Sequence, residues 1–100
     1  MNMTENPTHR VAALFPLGEI TATQKVLSRI PRHDLFAALQ EHSTDTENSD
    51  VLKRGADQIQ SMHESSVGER VFVKTWIKRQ QTLVWLAEDE QQLKENNLLP

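Results

Sequence analysis

In "ERVFVKTWIKRQQTLVWLA", residues 69–87, the side chains change character at every second position. Val71, Val73, Thr75 and Ile77 alternate with Phe72, Lys74, Trp76 and Lys78, and "TLVWLA" follows as a second apolar run. A period of two is the signature of a strand, because successive side chains point to opposite faces. Two such runs separated by "KRQQ" predict an antiparallel hairpin over residues 70–77 and 82–87. Val71, Val73 and Ile77 leave their face free of charge, so that face is expected to lie against the rest of the domain. The other face interleaves lysines with Phe72 and Trp76 and is expected to face outward.

A two-stranded hairpin is marginal by itself, so a third strand is required. Residues 14–21 are the candidate, with Pro16 confining them to an edge. Upstream of "SSVG" the apolar spacing is helical. Thr23 is a candidate N-cap for "QKVLSRI", whose Val26, Leu27 and Ile30 share a face, and Pro31 ends that helix after about two turns. "RHDLFAALQEH" predicts a second helix with Leu35, Phe36 and Leu39 as its stripe. "DVLKRGADQIQSMHE" predicts a third, with Leu52, Ala56, Ile59 and either His63 or Met62 inward and Gly55 where it crosses a neighbour. The tail, "EDEQQLKENNLLP", is expected to add a short polar helix held by Leu93.

The expected fold is therefore α+β, in the order β-α-α-α-β-β. Three helices lie on one face of a small, three-stranded antiparallel sheet. Residues 1–9 are expected to form a flexible arm and residues 10–100 a single domain. Leu35, Leu39, Leu52, Ile59, Val73 and Ile77 are expected to share its core.

The 100 residues suffice for one modest core. With no cysteine, disulfides, thiolate metal sites and cysteine nucleophiles are excluded. No apolar run approaches the ~20 residues that span a bilayer. The opening segment has neither the basic start nor the long apolar stretch of a secretory signal, so a cytoplasmic protein without membrane contact is expected. His9, His33, His42 and His63 show no metal-binding spacing, and no serine sits in a glycine-flanked elbow. The three glycines, at 18, 55 and 68, are too dispersed for a phosphate loop. Glu88, Asp89 and Glu90 read as acids complementing a helix start. No enzyme, cofactor or metal is expected.

Two segments carry a resemblance. "FPLGEITATQKVL" resembles an LGxIxAT opening, and "GERVFVKTWIKRQQTLVWLAEDE" resembles a closing hairpin with threonine on either side of an arginine-bearing turn. The matching positions are Leu17, Gly18, Ile20, Ala22, Thr23, Thr75, Arg79, Thr82, Leu86 and Glu88. Together they are similar to a family of small bacterial proteins of unknown function, often encoded on plasmids and integrative elements. Trp76 departs from that pattern, where the family has an acid. So does "STDTENS" after the second helix, where the family has a Gly-Asp-Trp-type segment. The resemblance implies a small, non-enzymatic protein of a mobile genetic element.

What the hairpin binds is the functional question. Arg70, Lys74, Lys78 and Arg79 sit on or beside the face of Phe72 and Trp76. An exposed tryptophan between lysines suits docking on a host protein, and the mobile-element resemblance suggests inhibition of a host defence system of the restriction or CRISPR kind. The alternative is a nucleic-acid-binding accessory protein that uses the basic hairpin over residues 70–79, as a monomer or as a homodimer through a strand edge. Lysines that merely keep an outer sheet face soluble explain the same charges. A net charge of −3 argues against generic coating of nucleic acid. The acidic segment over residues 41–50 is a second candidate surface, with a solvated loop as its plainer explanation.

Overall fold

The computed structural model describes residues 17–44 and 54–99. The expected arm, Leu52 and most of the acidic segment lie outside the described residues. The fold is α+β, built on a four-stranded mixed sheet. Its strands are β1 (Glu19–Ala22), β2 (Gln58–Glu64), β3 (Arg70–Trp76) and β4 (Gln81–Leu86), in the spatial order β1-β4-β3-β2. The helices are α1 (Gln24–Arg29), α2 (Arg32–Thr44) and α3 (Glu90–Glu95), the last entered through a 3-10 turn at Ala87–Asp89. No helix among the described residues is long and apolar enough to cross a membrane.

The hairpin stands where alternation puts it. β3 and β4 pair one-to-one, from Val71 with Leu86 to Trp76 with Gln81. Ile77 falls in the turn, where Gln80 takes a positive φ of 55°. The third strand of the expected sheet is β1, but it runs parallel to β4, with Ile20 beside Thr82 and Ala22 beside Val84. A parallel neighbour needs a crossover, which α1, α2, β2 and β3 together provide. The sheet is therefore mixed.

The expected third helix is replaced by β2. Ile59, Ser61 and His63 point to the helical layer, while Gln58, Gln60, Met62 and Glu64 point away, and all seven residues pair with β3. Two of the three inward residues are polar, which hides the period of two from a hydrophobic reading. Among the described residues Gly55 crosses no helix. It lies in the turn before β2 with φ 87° and open space where a Cβ would stand.

α1 and α2 cover one face. Thr23 caps α1 by accepting the Val26 N–H at 3.3 Å, and Ile30 leaves the helix at an extended ψ of 124°, as a residue before proline must. Val26, Ile30, Ala38, Leu39, Val71, Val73, Val84 and Leu86 are the buried core there, with Leu35 partly buried against them. Leu27 and Phe36 face outward instead, 59% and 61% exposed. The buried stripe of α2 is Ala38, Leu39 and His42, offset from the one expected. Ile59 is buried, but Ile77 is only half-buried.

The opposite face is not open. α3 and the tail fold across it, and Leu93 and Leu99 form a second core with Trp76, Leu83 and Trp85, against which Phe72 packs. The tail helix held by Leu93 is present, so one of the three helices lies on the face expected to be bare.

Candidate partner-binding surface

Three of the six hairpin residues selected from the sequence converge. Trp76 is only 6% exposed, which contradicts the exposed indole expected of a docking anchor. The register is nevertheless as expected, because Trp76 does lie on the face away from α1 and α2. That face is buried by the C-terminal segment. Lys74 Nζ stands 5.1 Å from the Trp76 ring centroid and Arg79 Cζ 5.4 Å, so two cations share one indole. Burial first, and the Arg79 charge second, push the Lys74 pKa below its ordinary value.

The other three residues lie apart. Phe72 stacks on its cross-strand partner Trp85, with ring centroids 5.7 Å apart, and is structural. Lys78 is exposed in the turn, its N–H donating to Asp57 Oδ1 at 2.9 Å. Arg70 is exposed at the opposite end of β3, about 20 Å along the strand. The basic residues therefore form no continuous stripe.

A polar row that sequence reasoning missed runs beneath α2. Glu41 Oε1 meets His63 Nδ1 at 2.5 Å, and His63 Nε2 meets Ser61 Oγ at 2.7 Å. Ser61 Oγ also lies 2.5 Å from His42 Nδ1, and His42 Nε2 lies 2.9 Å from Thr75 Oγ1. Thr75 Oγ1 contacts Thr82 Oγ1 at 2.8 Å, and Thr82 donates to the Leu17 carbonyl at 2.6 Å. His42, Thr75 and Thr82 are essentially sealed from water, where polar groups must be paired. The row links β2, α2, the hairpin and the start of β1. Thr75→Val, which removes two of these buried bonds at constant shape, is expected to cost about 1–3 kcal/mol in a urea melt. An unchanged midpoint would show that the row contributes nothing to stability.

The acids after β4 do more than begin a helix. Asp89 Oδ2 accepts the Thr23 hydroxyl at 2.6 Å and the Leu86 N–H at 3.0 Å, tying α1 to β4. Glu88 and Glu69 flank Arg29 in exposed ion pairs, and the bond to Glu88 is the main cause of the raised Arg29 pKa. Among the described residues, no group of three or more His, Cys, Asp or Glu side chains could hold a metal.

The β2 edge of the sheet is the second notable surface. Among the described residues β2 pairs only with β3. Ile77 N–H donates to the Asp57 carbonyl at 2.8 Å, and Ser65 N–H to the Glu69 carbonyl at 2.9 Å. These two bonds fix the parity of the ladder. The backbone groups of Ile59, Ser61 and His63 turn to β3, and those of Gln58, Gln60, Met62 and Glu64 turn outward. The register is one-to-one across all seven residues, and the strand contains neither Pro nor Lys. Proteins normally blunt such an edge with bulges, lysines or prolines. β1, at the other edge, is only four residues long.

Compared with protein-family models, with curated proteins and with solved structures, the chain matches none of them.

Proposed function

We propose that this chain is a small, non-enzymatic binding protein that docks on another protein by taking one of its strands onto the edge of β2. The observation that carries this reading is the seven-residue, unbulged edge with four residues' backbone groups turned outward. Main-chain bonds supply affinity in strand addition, and alternate side chains supply selectivity. The resemblance to mobile-element proteins supplies the class of partner: a host protein, such as a component of a restriction or CRISPR system, met in the cytoplasm.

A second copy of the chain suits the same edge. An antiparallel register with Ser61 opposite Ser61 would pair Gln60 with Met62 and Gln58 with Glu64. It uses all four outward residues of each strand and sets no like charges face to face. The nucleic-acid reading has less geometry behind it, because Lys74 is buried and Arg70 is remote from Lys78 and Arg79. Binding through phosphates would also fall steeply with salt, by about one unit of log–log slope per contact.

Met62→Pro tests the proposal. The Met62 N–H points away from β3, so its loss is expected to change stability by less than ~1 kcal/mol, as proline at an edge strand allows. It should nevertheless abolish capture of the partner from a bacterial lysate, and any dimer seen by sedimentation. Ser61→Pro removes an N–H that faces β3 and is expected to unfold β2. Equal capture by wild type and Met62→Pro, or capture by neither, would sink strand addition at this edge.

A further inference from the structure

A lysine ammonium withdrawn from water is costly unless a counter-charge or hydrogen bonds replace its hydration. Lys74 is 6% exposed. Among the described residues its ammonium makes no ion pair and no hydrogen bond, and it stands over the face of Trp76. Arg79 on the same indole raises the cost rather than relieving it. A buried cation lacking an anion is the kind of exception that a fold keeps for a ligand.

Beside it lies a half-open cleft. Lys74 lines a cavity of about 220 Å³, whose other walls are Gln60, Trp85, Glu90, Lys94 and Leu99. Trp85 and Leu99 are buried and give it an apolar side. Glu90 is already engaged, accepting from Trp85 Nε1 at 3.3 Å and pairing with Lys94 at 3.7 Å. Gln60, directly across the ladder from Lys74, brings a side-chain amide to the same space.

We propose that this cavity binds a carboxylate carried on a small apolar body, with Lys74 as its counter-charge. A single negative charge is the fit, since Lys74, Lys94 and Glu90 together leave one net positive charge on the lining, and among the described residues no arginine lines the space to grip a phosphate. The apolar body lies against Trp85 and Leu99. The carboxylate belongs to a free organic acid or to an acidic side chain of a strand docked at β2, since Gln60 belongs to that strand. The inference stands apart from strand addition, because Lys74 faces this cavity whether or not the edge is occupied.

The chain's two tryptophans, Trp76 and Trp85, flank Lys74, so intrinsic fluorescence reports on the cavity. Phenylacetate should produce a saturable change, phenylacetamide should bind at least tenfold more weakly, and Lys74→Met should remove the acid-dependent response. Without ligand, Lys74→Met should melt at or above the wild-type temperature, because it keeps the stem and deletes an uncompensated charge. A seven-residue strand peptide with a central Glu, compared with its Gln counterpart, distinguishes the sources: saturation by the Glu peptide alone assigns the carboxylate to a docked strand. Met62→Pro should leave phenylacetate binding intact, so failure of the edge and failure of the cavity are told apart. The proposal is overturned if neither acid probe saturates, if the amides bind as well as the acids, or if Lys74→Met retains the response. A lower melting temperature for ligand-free Lys74→Met would also overturn it, since Lys74 would then be compensated within the fold.

Discussion

Trp76→Ala is expected to destabilise the domain by about 3–5 kcal/mol, the usual range for removing a buried tryptophan. That is the reverse of what alternation implies for an outward residue between lysines. The indole is 6% exposed and belongs to the core formed with Leu83, Trp85, Leu93 and Leu99. Truncation would open a cavity beneath the tail and strip Lys74 and Arg79 of the ring they share. Set against the ~5–15 kcal/mol by which ordinary domains are stable, such a loss would leave a substantial unfolded fraction. A urea melt decides it. A change below about 1 kcal/mol would mean that α3 and the tail do not cover this face in solution, and Trp76 would return to candidacy as a docking anchor.

The hairpin and the first two helices were legible for plain physical reasons. Val71 and Val73 alternate strictly with larger or charged neighbours, Thr23 and Pro31 punctuate α1, and Leu35 and Leu39 keep helical spacing. β2 was not legible because Ser61 and His63 face inward. Their burial depends on His42 and Glu41, partners 19 and 22 residues away that no local pattern announces. The second core was hidden similarly. Lys74 among Phe72 and Trp76 reads as solvent-facing until Leu93 and Leu99 are seen to close over it. Of the six candidate site residues, Lys74, Trp76 and Arg79 come together, but Lys74 and Trp76 are buried where the alternation implies exposure, while Arg79 is exposed. The β2 edge was missed altogether, since its segment read as helix. Leu17, Thr75 and Thr82 form one hydrogen-bonded row, while Thr23 is tied to Asp89.

Gly18 belongs to the same junction, and Gly18→Ala is expected to cost at least about 3 kcal/mol. A Cβ there would stand 1.9 Å from the Gln80 carbonyl oxygen and 2.2 Å from its carbon. Both are backbone atoms, so no side-chain rotation can relieve the overlap. The strain is compounded by a φ of 67°, in the left-handed region that residues with a Cβ avoid. Glu19 N–H donates to that same Gln80 oxygen at 2.9 Å, and this bond sets the parallel register of β1 on β4. Pushing the chains apart would break it and pull the Leu17 carbonyl from Thr82, opening the sealed polar row at one end. Gly55→Ala is the matched control. Its φ of 87° is equally unfavourable, but among the described residues a Cβ would meet nothing within 4 Å. It should therefore cost only the conformational penalty of about 1–2 kcal/mol. Hydrogen exchange at the Glu19 amide reports the difference directly: protection should vanish in Gly18→Ala and persist in Gly55→Ala. Equal losses in the two variants would show that Gly18 is kept for its φ alone, and that close approach to Gln80 does not hold β1 in the sheet.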